Sequence, residues 1–209
     1  MFNVCSKCGN YRVDKNIDIT GPYAICPDCG YAHDFIQLPL FIITGASGTG
    51  KTSVCLELSK ALPEVIVMES DILWRNEFSK PESDYREYRE MWLRVCKNIS
   101  QSGKPVVLCG SAVPSQFEDC IERRYFTQIY YLALVCEDNV LSERLKQRPT
   151  WRNSNSNEFI NEHIKFNNWF KDNADKSTWK IDLLDTSLDK TSDSVEKVSI
   201  WVRGRLQTV

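Results

Sequence analysis

The feature that most constrains this chain is an apolar run that ends in a glycine-rich loop. Leu40-Phe41-Ile42-Ile43-Thr44 has the length and composition of a buried strand, and Gly45-Ala46-Ser47-Gly48-Thr49-Gly50-Lys51-Thr52 follows at once. Residues 52–62 then have helical spacing, with Val54, Leu58 and Ala61 on one face. A strand, G-x4-G-K-T and a helix, in that order, make a phosphate-binding loop. The glycines let the backbone curl until its N–H groups converge on phosphate oxygens, and the helix N-terminus adds partial positive charge. On this reading Lys51 reaches the β- and γ-phosphates and Thr52 holds Mg²⁺. Gly45, Ser47, Gly48, Thr49, Gly50 and Ser53 complete the nucleotide contacts.

The rest of the pattern continues as α/β. Strand-like runs at 64–68, 105–109, 128–135 and 180–184 alternate with helical periodicity at 85–101, 115–124, 139–148, 158–170 and 193–202. That alternation predicts a three-layer P-loop fold with a five-stranded parallel sheet covered on both faces. At 209 residues the chain suggests one main domain with a small appendage. Residues 1–38 differ in texture, being short-turned and rich in cysteine, so the boundary is expected at 38/39, with the P-loop domain over 39–209.

In an open parallel sheet, ligands sit beyond the carboxyl ends of the strands. The second strand of the domain ends in Glu69-Ser70-Asp71. On extended chain, two carboxylates two residues apart point the same way, one toward Mg²⁺ and one toward an acceptor hydroxyl. The competing reading is a solvated acidic turn or a helix cap. The third strand ends in Cys109-Gly110-Ser111 and lacks a Walker B aspartate, which argues against a motor-type ATPase. Glu137 and Asp138 after the fourth strand suit the start of a helix better than a metal. Arg144 and Arg148 share one helix face, and Arg152 follows Pro149. Planar guanidinium groups grip phosphate in pairs, and the polar stretch 153–157 suits a flap, so a lid is expected over about 148–158. A solvated basic face is the plainer alternative.

Cys5-Ser6-Lys7-Cys8-Gly9 and Cys26-Pro27-Asp28-Cys29-Gly30 are two matched turns with 17 residues between the inner cysteines. Cys5, Cys8, Cys26 and Cys29 are therefore expected to hold a structural Zn²⁺ as a zinc ribbon. A unit of 38 residues can barely bury a core, and the metal would supply the missing folding energy. Two redox dithiols are the alternative reading. His33 is a fifth candidate ligand but reads better as a surface histidine, and His163 reads as packed on its helix.

Composition narrows the partners. A net charge of −2 and a ribbon whose Lys7, Arg12 and Lys15 are balanced by acids give no electrostatic case for nucleic acid. No apolar run reaches membrane-span length. Met1-Phe2-Asn3-Val4-Cys5 does not read as a secretion signal, and nine cysteines, an odd count, suit a reducing compartment. A cytoplasmic location is the expectation.

Residues 40–209 resemble the small P-loop kinases related to adenylate kinase, of the gluconate-, shikimate- and chloramphenicol-phosphorylating type. The resemblance rests on residues 45–52, on Glu69-Ser70-Asp71, on the run from Arg144 to Arg152 and on Leu184-Asp185-Thr186-Ser187. Residues 107–112 also look like a gluconate-kinase segment with a glycine inserted, whereas Thr150-Trp151-Arg152 departs from the gluconate lid. The resemblance implies an ATP-dependent phosphotransferase in which Glu69 serves Mg²⁺ and Asp71 contacts the acceptor. Arg144, Arg148 and Arg152 grip ATP, and Asp185 and Thr186 border the adenine. The acceptor is expected to be a small molecule (a sugar, nucleoside or nucleotide) bound by residues 74–92, where aromatic and arginine side chains mix; for any single residue there, an amphipathic helix with core aromatics and a charged outside is the plainer reading. A nucleoside or nucleoside-monophosphate kinase is the close variant. A nucleotide-switched ATPase that binds nucleic acid or protein is the rival from another class.

Overall fold

The structure, a computed structural model, describes residues 3–207. Met1 and Phe2, which began the segment weighed as a leader, lie outside it. Two compact units emerge, and they do not follow chain order. The first gathers residues 1–40, 73–106 and 114–129, and the second residues 41–72, 107–113 and 130–209.

The first unit is built around a three-stranded antiparallel sheet, β1 (Asn16–Asp18), β2 (Tyr23–Ile25) and β3 (Ala32–Asp34), in the order β1-β2-β3. So short a sheet buries little by itself. Its small core completes itself with Tyr125, which packs with Ala24 and Phe35. The Tyr125 hydroxyl donates to the Val13 carbonyl at 2.6 Å. The same unit holds helix α2 (Arg86–Ser100) and the short helix α3 (Ser115–Glu118). Helix α2 buries Tyr88, Trp92, Cys96 and Ser100 along one stripe and Arg89, Leu93 and Lys97 along the next, the i, i+4 spacing of an amphipathic helix. Gln101, just past α2, grips the backbone of Ile36 with both ends of its amide, accepting from its N–H at 2.9 Å and donating to its carbonyl at 3.0 Å. The expected helix over 115–124 is instead α3 followed by a 3-10 turn, Ile121–Tyr125.

The second unit contains the five-stranded sheet: β4 (Leu40–Thr44), β5 (Ile66–Glu69), β6 (Val106–Cys109), β7 (Ile129–Val135) and β8 (Ile181–Asp185). Its order is β5-β6-β4-β7-β8, and the strands run parallel. All residues of β4 and β6 are buried, because helices cover both faces of the central strands. Phe41 and Ile43 of β4 share a core with Leu58 of α1 (Lys51–Ala61), Leu134 of β7 and Val198 of α6 (Thr191–Leu206). A second cluster joins Ala46 to Leu141 and Leu145 of α4 (Asp138–Lys146) and Ile160 of α5 (Asn157–Asn173). That cluster places the glycine-rich loop against two helices and fixes the floor of the site.

Candidate active site

Helix α1 begins directly after Gly50, whose φ of 98° is left-handed, and no side chain caps it. Its first N–H groups are therefore left for an anion rather than for the chain itself. The loop opens into a cleft of about 460 Å³ lined by residues 47–54, Glu69, Asp71, 109–111, Arg144, Arg148, Arg152, Thr186, Asp189, Thr191 and Ser194.

Lys51 folds back over the loop and donates to the carbonyls of Gly45 and Ala46, both at 2.8 Å. Burial draws its pKa down to about 8 and Arg148 pushes the same way, while Asp71 and Glu69 oppose them. A cation desolvated this way is poised to gain from a polyphosphate. Thr52 Oγ1 donates to Glu69 Oε1 at 2.7 Å. The two expected Mg²⁺ groups thus converge, and a hydroxyl beside a carboxylate is an oxygen-donor set suited to that ion and its waters.

Asp71 reaches the cleft by a different route from the one extended chain suggests. Ser70–Leu73 turns into a 3-10 helix directly after β5, yet Glu69 and Asp71 line the same cleft. Beyond β6, Ser111 Oγ donates to the Gly45 carbonyl at 3.0 Å. Thr44 Oγ1 donates to Ala112 O and accepts from Ala112 N–H. These bonds bind the segment after β6 to the loop.

The three arginines differ in what they do. Arg144 donates to Thr186 Oγ1 at 3.1 Å and to Thr186 O at 2.7 Å, and Thr186 Oγ1 donates on to the Thr49 carbonyl at 3.1 Å. Arg144 and Thr186 therefore brace the loop while bordering the cleft. Arg148 has its pKa lowered by burial and by Arg152, with Asp71 opposing. Arg152 lies over the Trp151 ring at 4.7 Å, in the 3-10 turn Thr150–Arg152. Two mutually repelling guanidinium groups beside Lys51 make an anion-receiving wall.

Gly45 and Asp185 do not line the cleft. Asp185 accepts from Ser187 N–H and Ser187 Oγ, closing the turn after β8. Glu137 is the N-cap position of α4 and Asp138 lies in its first turn, the helix-starting role. Sequence reasoning missed Asp189, Thr191 and Ser194, which enter the cleft because α6 packs along α1. It also missed His163: beyond packing on its own helix against Phe159, its Nδ1 accepts from the Ser47 backbone N–H at 3.3 Å.

The expected acceptor segment, within the first unit, is an aromatic and arginine cluster. Trp74 meets Tyr88 edge-on at 5.1 Å, and Phe78 meets Tyr88 at 5.4 Å. The Arg89 guanidinium lies 5.2 Å from the Tyr88 ring and 5.3 Å from Phe117, and donates to Gln116 Oε1 at 3.1 Å. Asp84 and Tyr85 hold left-handed φ values of 52° and 57°, conformations that non-glycine residues adopt at a cost.

The four ribbon cysteines come together as their spacing predicts. Their sulfur atoms lie within 4.8 Å of one another, with Cys5 to Cys29 at 3.6 Å and Cys8 to Cys26 at 3.8 Å. A tetrahedral zinc with Zn–S of about 2.3 Å needs sulfurs about 3.8 Å apart, so the set fits that ion. Gly9 and Gly30 sit at φ of 78° and 71°, and each donates to the carbonyl four residues earlier, Cys5 and Cys26. The Cys5 thiol is drawn down to about 5, chiefly by the Cys8 backbone N–H, which outweighs desolvation, with Lys7 N–H and His33 adding to it. His33 is thus a neighbour of the cluster rather than a plain surface residue.

The fold has known counterparts. A sugar kinase from Janibacter sp. HTCC2649 superposes with a TM-score of 0.58 at 15% identity, covering 80% of this chain and 95% of that one. A gluconokinase from Sinorhizobium meliloti 1021 gives 0.52 at 20% identity, covering 79% and 90%. A shikimate kinase from Acinetobacter baumannii, solved with shikimate, gives 0.52 at 18% identity, covering 82% and 96%. No curated protein matches the chain in sequence. The family described as an AAA domain (AAA_18) matches residues 42–164, more than half of the chain. The phosphate-binding loop, both acidic residues and all three arginines fall inside that span, and the chain belongs to this AAA domain family of P-loop proteins.

Proposed function

We propose that the chain is an ATP-dependent kinase that transfers the γ-phosphoryl group to a small-molecule acceptor. The observation that carries this reading is the convergence of Lys51, the Thr52–Glu69 pair, Asp71 and Arg148 on one cleft. Phosphoryl transfer asks the protein mainly for positioning and charge stabilisation. Lys51, Arg148 and Arg152 stabilise the charge that builds on the transferring group. Thr52 and Glu69 would hold Mg²⁺, which would supply neutralisation of phosphate charge. Asp71 orients the acceptor hydroxyl and takes its proton. Arg144, Thr186, Asp189 and Ser194 flank the nucleoside end.

Tyr88 and Arg89 of the expected acceptor segment are buried within the first unit and serve its packing, and the nucleoside-type variant stands beside the sugar acceptor as a reading for the phosphotransfer screen to separate. The ribbon cysteines bind zinc in a structural role, since four thiolates close the coordination shell. The odd count of nine cysteines is the basis on which we read the location as a reducing compartment such as the cytoplasm. No helix among the described residues is long and apolar enough to cross a membrane.

The test is a phosphotransfer screen of nucleosides, nucleotides and sugars with MgATP, alongside Asp71→Asn. The variant is expected to keep nucleotide affinity and lose transfer. A folded, ATP-binding wild type that phosphorylates no member of a broad panel would remove the kinase reading, and full activity in Asp71→Asn would remove Asp71 from it.

A further inference from the structure

Beyond the groups assigned above, the structure carries one more participant in nucleotide binding. The peptide between Ala46 and Ser47 is gripped at both ends. Its carbonyl accepts from Lys51 Nζ at 2.8 Å and from Thr49 Oγ1 at 2.9 Å. Its N–H donates to His163 Nδ1 at 3.3 Å. His163 stands on α5, whose Ile160 packs in the same buried cluster as Ala46. The Phe159 ring lies 4.2 Å from the imidazole and sets its plane.

We propose that His163 is a positioning residue for the phosphate-binding loop, holding the N–H edge of the Ala46–Ser47 peptide while Lys51 and Thr49 hold its carbonyl edge. This rests on the reading that Lys51 engages phosphate. Lys51, which keeps a third N–H for phosphate, and Thr49 Oγ1 hold only the carbonyl edge of that peptide. The His163 bond is on the opposite edge and does not compete with Lys51. Loss of the His163 bond lets the N–H edge swing about the anchored carbonyl and misdirects the N–H groups that follow it.

The chemistry of the imidazole fits the task. To accept at Nδ1 the ring must be neutral, with its proton on Nε2. Burial, then Lys51, then Arg148 hold the His163 pKa down to about 4, so the acceptor form persists at neutral pH. The bond also ties α5, which begins at Asn157, to the loop. Ser156 starts that helix by accepting from Phe159 N–H at 3.1 Å.

The test uses geometry that only this role requires. In His163→Asn, Oδ1 sits at the same bond distance from Cα as Nδ1 and replaces the acceptor; in His163→Gln, the amide reaches the Nε2 position instead. The full-length chain, with its metal, is titrated with a fluorescent ATP analogue and Mg²⁺. His163→Ala and His163→Gln are expected to weaken binding about fivefold, the equivalent of roughly 1 kcal/mol for one hydrogen bond, and His163→Asn to stay within about twofold of wild type. Hydrogen exchange at the Ser47 amide, measured without nucleotide, is expected to quicken in the Ala and Gln variants and not in Asn. Unchanged affinity and exchange in His163→Ala, or equal losses in Asn and Gln, would overturn the proposal while leaving the kinase reading intact. A wild type that binds no MgATP would overturn both.

Discussion

Lys97 Nζ donates to Glu122 Oε2 across 2.5 Å, and neither side chain has any exposed surface. The pair joins α2 to the turn at Ile121–Tyr125, and the chain just ahead of Cys5 closes it. Asn3 Oδ1 accepts from Lys97, and Asn3 Nδ2 donates to Glu122 Oε1 at 3.4 Å. Arg94 adds a bond to Glu122 Oε1 at 2.9 Å, and the Tyr125 ring lies 4.2 Å from Lys97 Nζ. Burial lowers the Lys97 pKa, and Glu122 opposes that shift.

A buried ion pair with satisfied partners is tolerated, whereas half of one is not. Lys97→Met is expected to lower stability by about 3–5 kcal/mol, because it strands Glu122 without its buried cation. The double variant Lys97→Met with Glu122→Leu is expected to recover much of that loss. Urea unfolding of the three proteins checks this. A double variant less stable than Lys97→Met would contradict the account.

The same network links the four-cysteine cluster to α2. Purified protein is expected to carry about one zinc per chain, and chelation to lower the melting temperature. Since Asn3, Tyr125 and Gln101 tie the ribbon to its neighbours, metal loss is also expected to speed proteolysis or hydrogen exchange within residues 86–100. Metal analysis and exchange before and after chelation provide the measurement. Protection of α2 that does not respond to the metal would disprove the link.

Lys51 offers a proton-linked signature of nucleotide binding. In the nucleotide-free chain its pKa is about 8, lowered chiefly by burial. A bound polyphosphate favours the charged form and raises that value. Binding therefore takes up a proton near and above pH 8, and affinity falls as pH rises through that value. Calorimetry at pH 8 in buffers of different ionisation enthalpy is expected to show uptake in wild type and none in Lys51→Met.

Gly110 tests the shape of the acceptor side. A Cβ placed there would lie 1.9 Å from Ser70 Oγ and 2.8 Å from Ser70 Cβ. Ser70 Oγ in turn donates toward Asp71 Oδ1 at 3.4 Å. Gly110→Ala is expected to displace Ser70 and the adjoining Asp71, cutting phosphotransfer by about tenfold or more, since misplacement near 1 Å has large effects. Adding Ser70→Gly is expected to restore part of the activity. Steady-state kinetics on an accepted substrate, with nucleotide affinity as the control, make the comparison.

Local sequence carried much of this protein. The phosphate-binding loop was legible because a strand, fixed glycines and a helix follow one another without a break from Leu40 to Ala61. The cysteine turns were legible for the same reason, each being a self-contained backbone curl that ends in a left-handed glycine. The alternation of strands and helices reports burial on both sheet faces, so the five-stranded layer could be read directly. Glu69 and Asp71 were found by position after a strand, although the turn that presents Asp71 was not.

Other features depended on partners distant in sequence. Nothing near His163 announces that it meets Ser47, 116 positions away, and nothing near Asp189 or Ser194 places them beside the loop. Lys97 and Glu122 read as ordinary surface charges on amphipathic segments, and only their mutual burial turns them into a structural pair. Sequence by itself determined the phosphate-binding loop, the cysteine cluster and the layered sheet, because short-range backbone geometry and periodic burial specify them. Tertiary structure alone decided that the ribbon shares a compact unit with α2, that Arg144 braces Thr186 and that an imidazole grips the loop. Those outcomes come from hydrogen bonds and desolvation between segments far apart in the chain, whose strength is set by distance and burial, neither of which residue order displays.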